Sequence, residues 1–116
     1  DKKINALVQF QKRFPGSLYL DNAILELANT YFLEDNYENA LQQIELLATK
    51  RPNSLLLKNA LLVKGLIYYN QEKYEPALNA YKSVIAQYPK TQEARDALVG
   101  VKNVYIQLNK VDDYLA

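Results

Sequence analysis

The sequence predicts an all-α protein built from repeated pairs of helices, and two observations lead to this prediction. Within each period, apolar residues are spaced at i, i+3, i+4 and i+7, which places them on one stripe of a helix, and strand-like alternation is missing. In addition, residues of three kinds recur at a constant spacing of 37: Pro15, Pro52 and Pro89; Ala23, Ala60 and Ala97; and Tyr31, Tyr68 and Tyr105. A constant period of this length indicates a repeat architecture rather than a single irregular core.

Each period contains two helices because two apolar stripes flank a polar break at 34–36. The first stripe runs from Ile24 to Tyr31 and the second from Ala40 to Ala48. The expected helices span 3–14, 18–33, 37–50, 55–70, 74–87 and 92–108. The stub that follows, 111–116, is too short to form the second helix that its repeat requires, since short isolated helices are marginal in water.

Hydroxyl residues mark where the first helix of each pair begins. Ser17, Ser54 and Thr91 each follow a Pro-x pair and precede a helical run, so we expect each to act as an N-cap. Pro76 falls in the first turn of its expected helix, where its missing N–H costs little.

The composition excludes several classes of function. The chain has 116 residues, enough for about one domain, and lacks Cys, His, Met and Trp. Thiolate nucleophiles, imidazole bases and typical zinc sites are therefore absent, and the paired acids 34–35 and 112–113 suit solvated turns better than a catalytic cleft. We expect no enzyme, no metal and no cofactor.

Charge and hydropathy argue against two kinds of partner. A net charge of +1 provides no field for a nucleic acid backbone, and no apolar run approaches the ~18 residues of a membrane span. We expect neither a nucleic acid partner nor direct membrane insertion. The chain begins at Asp1 without Met, and we expect a single repeat domain taken from a longer or processed protein. Its expected parts are 1–14 (the second helix of a preceding repeat), 15–51 (repeat one), 52–88 (repeat two) and 89–116 (an incomplete third repeat).

The two complete periods resemble the tetratricopeptide repeat, a helix-turn-helix unit. The matching residues are Ile24, Leu27, Ala28, Tyr31, Ala40, Ile44 and Pro52 in repeat one, and Leu61, Gly65, Tyr68, Ala77, Tyr81 and Pro89 in repeat two. Lys64 replaces the usual leucine of repeat two. In the third copy Lys102 occupies the small-residue position and Tyr114 the alanine position, so we expect helix contact to be less close there.

The resemblance implies a fold and a compartment. The fold is a right-handed α-α superhelix of antiparallel helix pairs. The period of 37 exceeds the 34 residues typical of the family. This lengthened form resembles a variant of bacterial cell-envelope proteins, which suggests the periplasm or the outer membrane.

The resemblance also implies a concave groove lined by the first helix of each pair. The groove residues that we expect are Asn22, Leu25, Asn29, Phe32, Asn59, Leu62, Leu66, Tyr69, Asp96, Asn103 and Ile106. Asn amides there could hydrogen bond to a peptide backbone beside apolar contacts. Alternatively, Leu25, Leu62 and Val99 pack one repeat on the next, and the asparagines are only solvated.

Two functions remain open from the sequence. The first is a non-catalytic scaffold that binds a peptide or protein segment in the groove. The alternative is a structural spacer whose exposed terminal helices stack on further repeats or on a second copy. For either function the expected partner is a protein.

Overall fold

The computed structural model describes the backbone of residues 1–115 and the side chains of residues 1–109. Within this part of the chain all regular structure is helical: α1 (Lys2–Arg13), α2 (Leu20–Leu33), α3 (Tyr37–Lys50), α4 (Leu57–Asn70), α5 (Tyr74–Gln87) and α6 (Gln92–Leu115). Both limits of α4 lie 37 residues after those of α2, and α5 follows α3 by the same offset. The predicted all-α fold with its period of 37 is confirmed.

The chain divides into two compact units, unit 1 over residues 1–60 and unit 2 from residue 61 onward. In unit 1, α2 packs against α3 and also against α1. Its core includes Ile24, Leu27 and Ala28 from α2, with Ala40 and Leu47 from α3. Burial of these residues follows the predicted stripes, because each stripe faces the neighbouring helix.

Unit 2 is formed by most of α4, by α5 and by α6. Its core cluster is built from Ala77, Leu78, Tyr81, Val84, Ala97, Val101 and Val104. Partly buried side chains of α4, among them Leu62 and Tyr69, pack against this cluster.

The polar breaks after α2 and α4 form the same left-handed turn. The N–H of Asn36 donates to the carbonyl of Tyr31 (2.8 Å), and the N–H of Asp35 donates to that of Phe32 (3.0 Å). Asp35 has φ 59°, and its equivalent Glu72 has φ 60° in an identical pair of bonds. These are the two bonds of a Schellman motif, which satisfies the last carbonyls of a helix and reverses the chain.

The N-cap prediction is confirmed at Thr91 and wrong at the two serines. The Oγ1 of Thr91 accepts from the N–H of Ala94 (3.1 Å), directly before α6 begins. Ser17 and Ser54 accept instead from the N–H two residues later, at 3.0 and 3.1 Å. These bonds hold a turn before the helix, because α2 and α4 begin at residues 20 and 57 rather than at 18 and 55.

The last helix differs most from its prediction, because α6 does not end at residue 108 but continues to Leu115. Asn109 is the repeat equivalent of Asp35 and Glu72, which carry the left-handed turns of the other two copies. A left-handed non-glycine residue costs about 1–2 kcal/mol, and packing of the following helix offsets that cost in repeats one and two.

Candidate functional site

The ring of Tyr81, on α5, lies between two glycines in unit 2. A Cβ added at Gly65 of α4 would lie 2.7 Å from Cδ1 of this ring, and one added at Gly100 of α6 would lie 2.5 Å from Cζ. Real Cβ atoms essentially never approach so closely, so both glycines are needed for this packing. This packing accounts for a glycine in the middle of α4. The close contact of α6 was not expected, and it uses Gly100 rather than the face that carries Lys102.

A slot opens between α4 and α6, with Tyr81 and Gly100 at its base. Its cavity volume is about 400 Å³, and nine residues line it: Leu62, Leu66, Tyr69, Asn70, Tyr81, Asp96, Val99, Gly100 and Asn103. We call this cavity the α4–α6 slot. Aliphatic side chains and aromatic rings therefore stand beside amide groups and a carboxylate, a mixture typical of binding sites.

Five of the predicted groove residues meet in this slot, namely Leu62, Leu66, Tyr69, Asp96 and Asn103. Val99, which the sequence places on the same face, is 56% exposed and also lines the slot. Leu62 packs against the unit 2 core as well, so its packing role and its place in the slot coexist.

Burial controls the ionisation of Tyr81, which is only 2% exposed. The pKa of the Tyr81 hydroxyl is raised to about 12. Desolvation by burial is the larger cause, and electrostatic repulsion from Tyr69 is the smaller one. Tyr81 is therefore neutral at physiological pH. Tyr69 itself packs edge-on against Tyr74, with ring centroids 5.9 Å apart, which fixes one wall of the slot.

In unit 1, two predicted groove residues, Asn22 and Leu25, line a different cavity. This cavity has a volume of about 530 Å³, lies between α1 and α2, and is also lined by Ala6, Leu7, Phe10, Tyr19, Ala23, Glu26 and Leu56. Lys3 forms an ion pair of 2.5 Å with Glu26 there. Asn22 and Leu25 thus share a cavity with α1, a helix that the groove prediction did not include.

Four predicted groove residues line neither cavity. Asn29 and Phe32 are half-buried on α2. The ring of Phe32 packs against that of Tyr37, with ring centroids 6.0 Å apart. Asn59 is half-buried near the start of α4, and Ile106 is 48% exposed on α6.

Sequence reasoning missed Tyr81, Gly100 and Asn70 as slot residues. Tyr81 matches the repeat motif, and this match gives no indication that its ring also lines the slot. Gly100 lies outside the repeat's small-residue position, yet a glycine in the middle of a helix is a signal of close approach that could have identified it. Asn70 is the last residue of α4 and lines the slot beside Tyr69.

Two further features of the described residues bear on function. No group of three or more acidic, His or Cys side chains is placed to hold a metal ion within the described part of the chain. None of the described helices combines the length and apolar character needed to cross a membrane.

Comparison with known proteins adds one match. Residues 59–91 match the family model of the tetratricopeptide repeat. The matched segment covers α4 from residue 59 onward and all of α5, and these helices contribute Gly65 and Tyr81. No curated protein sequence matches the chain.

The match supports a tetratricopeptide-repeat protein, and the helix pairs are consistent with a helical-repeat solenoid. Tetratricopeptide repeats generally mediate protein-protein interaction and are generally non-catalytic scaffolds. In this chain the matched segment also supplies the α4 wall of the slot and Tyr81 at its base.

Proposed function

We propose that this chain is a non-catalytic interaction scaffold and that the α4–α6 slot of unit 2 binds a peptide or protein segment. The observation that carries the proposal is the convergence of apolar walls with amide groups in one open cavity. Leu66 and Val99 are partly exposed in the free chain, so a bound segment would remove apolar surface from water. The Asn103 amide can donate to and accept from a peptide backbone.

The dimensions of the slot suit a short segment rather than a large folded surface. A volume of about 400 Å³ is near the lower end of known ligand sites, enough for a few side chains. The Tyr81 ring is buried and the Tyr69 ring packs against Tyr74, so we expect little ordering of these side chains on binding.

The test is selection of random eight-residue peptides displayed on phage against the immobilised chain, followed by fluorescence anisotropy with each enriched peptide. Val99→Ala combined with Asn103→Ala should weaken binding by about tenfold or more, since it removes one apolar contact and one amide. Melting followed by circular dichroism should show an unchanged fold, because both side chains lie at the surface.

A matched control is available on the same helix. Leu98 is 55% exposed, against 56% for Val99, but it does not line the slot. Leu98→Ala combined with Lys102→Ala should leave the affinity unchanged. Equal loss in both double variants, or no enriched peptide at all, would contradict the proposal.

A structural spacer is the second candidate, and the outer face of α6 favours it. Leu98 and Tyr105 are each about half exposed there. Stacking of this face onto another helix would cover them.

Two lysines oppose stacking between copies of this chain. Lys102 stands where repeats one and two have Ala28 and Gly65, and Lys3 stands where they have Ala40 and Ala77. If α1 of one copy packed on α6 of another as a second helix, both lysines would fall where helix backbones come closest. Sedimentation equilibrium should therefore find a monomer, and concentration-dependent dimers would favour the spacer instead.

The cellular compartment is also part of the proposal. The lengthened repeat resembles that of bacterial cell-envelope proteins, which supports a periplasmic or outer-membrane location. Fractionation of the source cells with an antibody against this chain tests it, and recovery only with cytoplasmic markers would overturn it.

A further inference from the structure

We propose that the α4–α6 slot selects segments that carry a Lys or Arg side chain beside an apolar one, with the Asp96 carboxylate receiving the cation. This inference rests on the proposed function of the same slot. It adds a chemical class of ligand, and it begins from the charges that surround the cavity.

Asp96 is the single charged residue among the nine that line the slot. It is exposed, and within the described part of the chain its carboxylate forms no ion pair. Lys64, Arg95 and Lys102 lie on the same two helices but do not line the slot. A bound segment therefore meets one negative charge there and no positive one.

The side chain of Gln92 hydrogen bonds to both Asp96 and Arg95, so these two charged groups do not pair directly. Its Nε2 donates to Oδ1 of Asp96 at 2.9 Å, and its Oε1 accepts from Nη2 of Arg95 at 3.0 Å. The amide thus stands between the two charged groups. Asp96 keeps its charge available for a ligand, while its orientation is fixed by the hydrogen bond.

The surfaces next to Asp96 suit the stem of a basic side chain. Leu66 and Val99 form apolar walls of the slot, and Lys and Arg carry long methylene stems that pack on apolar surface while the charged group stays near water. An acidic segment would bring a second negative charge to Asp96. None of the nine lining residues carries a positive charge that could balance it.

The charge is specific to this copy of the repeat. The positions equivalent to Asp96 in the two preceding copies are occupied by Asn22 and Asn59. Asp96→Asn therefore introduces the residue that the chain itself uses at this place. It is nearly isosteric, and its amide oxygen can still accept from Gln92.

The experiment compares peptide selections on the wild-type chain and on Asp96→Asn. The wild-type selection should enrich peptides with Lys or Arg next to an aliphatic or aromatic residue. An enriched peptide should lose about fivefold in affinity for the wild-type chain when its basic residue is changed to Gln. The same change should have no effect on binding to Asp96→Asn, and raised salt should weaken only the wild-type complex with the basic peptide.

The possible failures are distinguishable. Peptides that bind the slot without a basic preference, or with an acidic one, overturn this inference and leave the proposed function in place. Absence of any enriched peptide overturns both. A charge-reversed variant, Asp96→Lys, provides an independent check, because it should change the preference to peptides that carry Glu or Asp.

Discussion

The helix hairpins of the two units have the same lengths and the same turns but differ at a facing pair of packing positions. In unit 1 the position on α3 is Ile44, and the small-residue position on α2 is Ala28. In unit 2 the equivalents are Tyr81 and Gly65. Ile44 and Tyr81 are both only 2% exposed, so the larger ring is fully accommodated. The comparison shows that the repeat accommodates a larger side chain on the second helix when the residue facing it on the first helix is glycine instead of alanine.

The exchange has a functional consequence. Glycine in a helix costs up to about 1 kcal/mol relative to alanine, and unit 2 bears this cost at both Gly65 and Gly100. In return, Tyr81 lies against α4 and α6 together and forms the base of the slot. The cavity of unit 1 has no such base and lies between α1 and α2 instead.

Removal of the Tyr81 ring should produce the largest effect. Tyr81→Ala should lower the free energy of unfolding by about 3–5 kcal/mol, because the ring leaves a cavity between two helices that cannot close. Urea unfolding followed by circular dichroism measures this loss. Ile44→Ala in unit 1 should cost less, and the reverse order would break the comparison.

Addition of one methyl group at Gly65 should have the next largest effect. Gly65→Ala gains helix propensity of up to about 1 kcal/mol, yet we expect a net loss of about 1–2 kcal/mol because the new Cβ overlaps the buried ring. Gly16→Ala is the control, since a Cβ there meets nothing within 4 Å. A more stable Gly65→Ala in urea unfolding would refute the close packing.

Gly65→Ala should have a different effect in a chain that lacks the Tyr81 ring. In a Tyr81→Ile background, Gly65→Ala recreates the Ala28 and Ile44 pair of unit 1 and should become neutral or stabilising. The sign of its effect on the urea midpoint should therefore reverse. Additive effects of the two substitutions would show that the residues are not coupled.

Loss of a helix cap should have a smaller effect and should again differ between the units. Thr91→Ala should lower the free energy of unfolding by about 1 kcal/mol, because it removes the bond to the Ala94 N–H at the start of α6. Ser17→Ala should cost less, since Ser17 bonds within a turn before α2. Thermal melting of both variants measures the difference, and a larger loss at Ser17 would contradict the assignment of the caps.

Replacement of the Tyr81 hydroxyl should have the smallest effect at neutral pH. Burial raises its pKa from 10.0 to about 12, so the folded state disfavours ionisation. The contribution of this group is fully present below pH 10 and is lost as the pH rises toward 12. Between pH 10 and pH 12, the free energy of unfolding measured in urea should fall less for Tyr81→Phe than for the wild type. An equal fall in both proteins would contradict the burial of the hydroxyl.

The helices and the core could be predicted from the sequence because the same apolar pattern occurs in both complete repeats. The limits of α3 and α5 match the prediction, and the stripe from Ile24 to Tyr31 faces the core as expected. The turns were located by their polar residues alone. Their left-handed geometry at Asp35 and Glu72 needs coordinates, since neither residue type demands it.

The slot was only half predictable for a physical reason. Helical spacing shows which residues share one face, so Leu62, Leu66 and Tyr69 were found together. It does not show how closely the next helix approaches. The role of Gly100 and the position of Tyr81 beside the slot depend on the distance between α4 and α6, which no single helix encodes. The length of α6 was also missed, since Asn109 does not adopt the left-handed turn that follows α2 and α4.

The most direct test of the account is to map peptide contacts on the ¹⁵N-labelled chain by NMR. An enriched peptide should shift the backbone amides of Leu66, Val99 and Asn103 and leave those of Ala6 and Leu7 unchanged. Such a result would locate binding in the slot of unit 2. Shifts concentrated at Ala6 and Leu7 instead would assign binding to the cavity of unit 1 and contradict the central claim.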